Sequence, residues 1–177
     1  MTEFLTDTST LRDRARKKML QGPITETYGA DLERVIQVLN EVLATELVCV
    51  LRYKRHYYMA EGINSSPIAA EFLQHATEEQ GHADLVAQRI VQLQGEPDFN
   101  PATLVARSHA EYVEGRTLVE MIEEDLIAER VAISSYQEIV RWLGTGDPTS
   151  RRMIEDILAM EEEHADDLLT LLKEIKP

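Results

Sequence analysis

Apolar residues recur every three or four positions along four long stretches of this chain, and each stripe carries a glutamate near its middle. The first runs Leu32, Ile36, Leu39, Leu43, Glu46, Val50, Tyr53, and the second Phe72, Ala76, Glu79, Ala83, Val86, Ile90, Leu93. The third runs Leu118, Ile122, Leu126, Glu129, Ile133, Tyr136, Val140, and the fourth Ile154, Ile157, Glu161, His164, Leu168, Ile175. This is the period of amphipathic helices. The spacing predicts helices over roughly 31–61, 67–94, 115–143 and 148–176. Asp31 is placed to cap the first, and Ser66-Pro67 reads as the cap and first residue of the second. Gly62 to Pro67, Gly95-Glu96-Pro97 and Gly144 to Pro148 break the pattern. Each helix is about 28 residues, hence about 42 Å long. Short connections at 62–66 and 144–147 make two antiparallel hairpins. The long connection, about 95–114, can travel the bundle's length, which allows the second and third helices to run parallel. Its Pro101 to Arg107 stretch is suited to a small helix. We read an all-α protein with a leader at 1–30 and one four-helix-bundle domain at 31–177.

The two halves repeat. Glu79-Gln80-Gly81-His82-Ala83-Asp84 returns as Glu161-Glu162-Glu163-His164-Ala165-Asp166. Glu46 lies 33 residues before the first copy and Glu129 lies 32 before the second, each with a tyrosine seven later, Tyr53 and Tyr136. Residues three apart project from one helix face, so a carboxylate and an imidazole reach the same ion. Four carboxylates and two imidazoles in this order form the ligand recipe known for two-metal centres in four-helix bundles. Each metal takes a His, a terminal Glu and a share of two bridging Glu. Four carboxylates offset two divalent ions, whereas four buried glutamates without a cation lose solvation and repel. Oxygen and nitrogen ligands with open positions favour iron or manganese over thiolate-seeking metals.

At these residues the chain resembles the bacterioferritins of the ferritin-like superfamily, over about 31–176. The resemblance implies a ferritin-like bundle with one long crossover and a ferroxidase centre of Glu46, Glu79, His82, Glu129, Glu161 and His164. Glu79 and Glu161 would bridge, Glu46 and Glu129 would be terminal, and each His would bind one iron, two irons per subunit. Tyr53 matches a family tyrosine beside the metals. Gln80 stands where the family's haem-binding methionine lies, so no haem is expected. The chain ends soon after the fourth helix, so no fifth helix is expected, and the small crossover helix is similar to that of Dps-type mini-ferritins. This implies a homo-oligomeric shell of twelve subunits, or alternatively twenty-four, that oxidises Fe(II) with hydrogen peroxide or dioxygen and stores ferric mineral. The Dps-like proteins with a bacterioferritin-type centre usually carry a cysteine pair; here only Cys49 is present.

Composition narrows the alternatives. A net charge of −14 opposes nucleic-acid binding by the whole domain and suits cation attraction. Residues 12–18 are locally basic, so a DNA-protecting arm is a second reading. A discrete di-iron or di-manganese peroxidase, catalase or oxygenase is a third. No apolar run approaches the ~20 residues that span a membrane, and residues 1–10 resemble no secretory signal. With a single cysteine, a cytoplasmic location is expected. Cys49 reads as a small core residue or a redox thiol, and His75 as a structural histidine or a guide for iron.

Overall fold

The computed structural model describes residues 6–62 and 65–175. They form six α-helices: α1 (Thr8–Lys17), α2 (Leu32–Met59), α3 (Ser65–Gln92), α4 (Leu104–Arg107), α5 (Leu118–Leu143) and α6 (Pro148–Ile175). A 3-10 turn, Met19–Gln21, follows α1. The bundle is α2, α3, α5 and α6. Helices α1 and α4 lie outside it and correct the expectation of no fifth helix. Asp7 caps α1 by accepting from the Thr10 amide at 3.1 Å. Helix α3 begins at Ser65, so Ser66 is inside the helix rather than its cap, and the predicted turn at Ile63-Asn64 lies outside the described residues.

Local chemistry sets the ends of the rods. Asp31 accepts from the Arg34 amide at 3.2 Å and Thr117 from the Glu120 amide at 3.2 Å. Asp147 accepts from the Ser150 amide at 2.9 Å, ahead of Pro148, a residue pre-set for a first helical turn. Gly115, at φ +60°, turns the crossover into α5; a Cβ there would stand 2.9 Å from the Met121 amide nitrogen.

Cross-links fix helix direction. Tyr53 on α2 bonds Glu129 on α5, and Tyr136 on α5 bonds Glu46 on α2, so these helices are antiparallel. His164 pairs with Glu78, and Arg89 with Asp147 and Ser150, which makes α3 and α6 antiparallel too. With two hairpins, α3 and α5 run the same way. The crossover follows α2 from end to end. Asp98 N donates to Asn40, His109 N to Thr45, and Arg52 and His56 bond the carbonyls of Glu111 and Glu114. Leu104 of α4 seats against Ala44 and Val48. The leader is tied down at its end, where Tyr28 donates to Asp147 at 2.9 Å and Ile24 packs on the core.

Two apolar clusters fill the bundle. One centres on Leu39, Leu43, Val86, Ile90, Ile154 and Ile157, the other on Ile68, Phe72, Ala76, Ile122 and Leu168. Between them, at mid-rod, the core turns polar.

Candidate metal centre

The four mid-stripe glutamates meet in this polar layer. Glu46, Glu79 and Glu161 are 1% exposed, Glu129 0%, His164 1% and His82 7%. Their ligand atoms form two overlapping groups, each within 4.8 Å: Glu46, Glu79, His82, Glu161, and Glu79, Glu129, Glu161, His164. Only Glu79 and Glu161 belong to both groups. Two ions held by these groups would share Glu79 and Glu161, each of which has two oxygens to offer. His82 Nδ1 stands 3.3 Å from Glu46, 3.7 Å from Glu79 and 3.1 Å from Glu161. His164 Nδ1 stands 3.3 Å from Glu79 and 3.4 Å from Glu161.

These contacts are close but lack hydrogen-bond geometry. Seven atoms of the layer are buried without a hydrogen-bond partner: Glu46 Oε2, Glu79 Oε1, Glu129 Oε2, both Glu161 oxygens and Nδ1 of His82 and His164. An unsatisfied buried polar atom costs about 1–3 kcal/mol. Seven therefore cost on the order of 10 kcal/mol, comparable with the whole stability of a domain, about 5–15 kcal/mol. Cations among them remove that cost, so the donor set fits a pair of divalent ions.

The surroundings hold the ligands in place. Tyr53 donates to Glu129 Oε1 and Tyr136 to Glu46 Oε1, leaving Oε2 of each glutamate without a partner, where it could hold a metal. Glu78 Oε2 lies 2.9 Å from His164 Nε2 and turns Nδ1 inward. The repeat does not extend to this anchor: 82 positions on from Glu78 stands Met160, so His82 lacks the matching carboxylate.

Metal-free electrostatics are strained. Burial pushes the Glu79 carboxyl well above the usual range, and Glu161 and Glu46 push it further. Burial and Glu161 do the same to Glu129. Burial also opposes charge on Glu161, but His164 and His82 outweigh it and hold that carboxyl low. Burial disfavours imidazolium, yet Glu161, Glu46 and Glu79 raise His82 to about 12; Glu161 and Glu129 raise His164 to about 9. Protons thus occupy the ligand set when metal does not.

All six ligand residues expected from the sequence converge here, with Tyr53 beside them. Tyr136 also bonds the layer. Cys49 is buried next to it; burial, then Glu79 and Glu129, push its thiol well up, which suits a core residue rather than a reactive thiolate. Asp84 faces away and accepts from Gln80. His56 has a structural role: its Nδ1 lies 2.7 Å from Asp125, which also pairs with buried Arg52 at 2.9 Å. His109 lies beside Ser135, and Trp142 is largely exposed. Sequence reasoning missed Glu78 and this Arg52–Asp125–His56 triad. Glu78 carried a weak signal as the neighbour of a ligand; the triad joins positions some 70 apart and carried none.

Comparison with known proteins agrees with this geometry. Residues 36–177 match the ferritin-like domain family. The chain is 31% identical to bacterioferritin of Rhodobacter capsulatus over 138 residues, 77% of this chain and 81% of that protein. It is 32% identical to bacterioferritin of Mycobacterium leprae over 139 residues, 78% and 83% of the two chains. Among solved structures, the dodecameric thioferritin of Bacteroides fragilis, a bacterioferritin-related protein, superposes with a TM-score of 0.80 at 32% identity, covering 84% of this chain and 89% of that one. Dps from Thermosynechococcus elongatus shares the fold, with a TM-score of 0.76 at 22% identity over 79% and 90% of the chains. With its family match spanning the whole bundle and its relatives matching most of their own length, this chain belongs to the ferritin-like family, as a relative of the bacterioferritins.

Proposed function

We propose that this protein is a ferroxidase that detoxifies and stores iron, with Fe(II) as its substrate. The supporting observation is the pair of overlapping ligand groups sharing Glu79 and Glu161. Glu46 and His82 complete one iron position, Glu129 and His164 the other. Two Fe(II) ions lose one electron each, and one hydrogen peroxide takes both, with two protons, to give two waters; dioxygen is the alternative acceptor. Tyr53 and Tyr136 hold the terminal carboxylates through this cycle. The apolar clusters above and below keep bulk water from the layer.

Several finer readings go with it. The Bacteroides relative is described as dodecameric, and the small helix α4 sits in the crossover, which favours a shell of twelve chains. Twelve copies of a 20.1 kDa chain make about 240 kDa. Gln80 follows Glu79 and offers no thioether to a haem iron. No described helix is long and apolar enough to cross a membrane. Residues 6–30 act as an arm docked at one end of the bundle through Tyr28.

Iron loading followed by size-exclusion chromatography tests this. A shell near 240 kDa that takes up tens of irons per subunit supports storage; saturation at two irons per subunit would show a discrete di-iron enzyme instead.

A further inference from the structure

One turn along the α3/α6 groove from the di-metal layer lies a second cluster of donors. His75 is on α3 four residues before Glu79, and Asp167 is on α6 three residues after His164, so both continue the ligand faces. Glu71 is one turn before His75. Ligand atoms of Glu71, His75 and Asp167 lie within 4.8 Å of one another.

His75 is the informative member. Its side chain is fully buried, and its ring stacks on that of His164 with centroids 4.1 Å apart. Nδ1 lies 3.2 Å from the Tyr53 hydroxyl. That hydroxyl gives its own proton to Glu129, so it accepts from Nδ1–H. Nε2, the other nitrogen, is buried and has no hydrogen-bond partner. It points at Glu71 Oε1, 3.4 Å away, and Asp167 Oδ2, 3.8 Å away. A metal with bonds of about 2.0–2.2 Å holds its ligand atoms about 3.0–3.6 Å apart. Nε2 stands near that spacing from both carboxylates, and all three donors lie within 4.8 Å of one another. Glu71 and Asp167 side chains are 29% and 45% exposed, so the centre opens to solvent on one side while His75 closes it on the other.

We propose that Glu71, His75 and Asp167 form a third divalent-cation site, on the solvent side of the di-metal layer. Its binding chemistry stands on its own atoms; its role, holding Fe(II) one imidazole away from the His164 position before transfer, rests on the ferroxidase reading. The acceptor nitrogen is fixed by the same Tyr53 hydroxyl that holds Glu129, which ties this site to the pair.

The test is equilibrium dialysis with Co(II), which binds the same donors and is not oxidised. Glu71→Gln/Asp167→Asn removes two partly exposed charges and leaves the core intact. This variant is expected to bind one Co(II) per subunit fewer than wild type. The same deficit is expected when it is added to Glu46→Gln/Glu129→Gln, where the pair is disabled. His75→Leu, checked for folding by circular dichroism, is expected to show that deficit as well. No deficit in either background overturns the third site. If Glu46→Gln/Glu129→Gln alone retains the full wild-type count while the one-ion deficit persists, the third site stands and the di-metal reading fails.

Discussion

Filling the di-metal layer displaces protons, and their number follows from the side chains in it. Without metal, burial and neighbouring carboxylates push the Glu79 and Glu129 carboxyls well above their usual range. His82 and His164 are held protonated up to about 12 and about 9 by the carboxylates around them. Glu161, held low by both histidines, is ionised already. Metal binding requires carboxylates and neutral imidazoles, so two divalent ions expel at least about two protons per subunit at pH 7, those of His82 and His164, and the raised carboxyls of Glu79 and Glu129 add to them. The pair's combined affinity then falls at least about 10²-fold per unit of acidification, about 2.8 kcal/mol at ~1.4 kcal/mol per tenfold. The assay is Co(II) titration of metal-free protein in weakly buffered solution with a pH indicator, checked by calorimetry in buffers of different ionisation enthalpy. Release of one proton or fewer at two equivalents would refute the reasoning, because the ligands would then already be deprotonated in the empty layer.

Further outcomes follow from the same contacts. Each of those four groups binds its proton more tightly when folded than at its ordinary value, so the metal-free protein loses stability as pH rises. The histidine contribution is complete below about 6.5 and lost through about 9 for His164 and about 12 for His82, while the two glutamates begin to cost above about 4.5. Melting temperature should fall from pH 6 to 9 without metal, and should not fall when Co(II) is bound. Glu129→Gln or Glu46→Gln should slow Fe(II) oxidation in stopped flow by about 100-fold or more with the fold retained, since an anionic ligand is lost and a buried charge removed; unchanged kinetics in both would count against the ligand assignment. Tyr53→Phe frees Glu129 Oε1 and should slow oxidation by about 10-fold with normal folding; an unaltered rate would make Tyr53 a packing residue only. Asp125→Ala leaves the buried Arg52 charge without its carboxylate and should destabilise the protein by about 3–5 kcal/mol in urea titration, with a shift under 1 kcal/mol arguing against that triad's role.

The rods were legible in the sequence because each buries one stripe, and helical period is a local property. The ligand layer was legible for a further reason: a glutamate on an apolar stripe is costly, and four in register mark a shared purpose. What escaped notice has no local period. Arg52, His56 and Asp125 find one another only because the crossover returns along α2, and a chain read in order does not show which loop carbonyls it will present. Glu78 sits beside a stripe residue rather than on the stripe, and its reach to His164 Nε2 depends on the rotation of α6. His75 stood out by spacing, but its free Nε2 became visible only once Tyr53 was seen to bond Glu129. The start of α3 moved by a residue or two, with Ser65 preceding the expected cap at Ser66.

The most direct measurement is anomalous diffraction at the iron edge from crystals loaded with Fe(II) under anaerobic conditions. Two peaks per subunit are predicted in the layer, one bonded by Glu46 and His82, the other by Glu129 and His164, with Glu79 and Glu161 reaching both. Iron density elsewhere, with these six side chains unligated, would contradict the account.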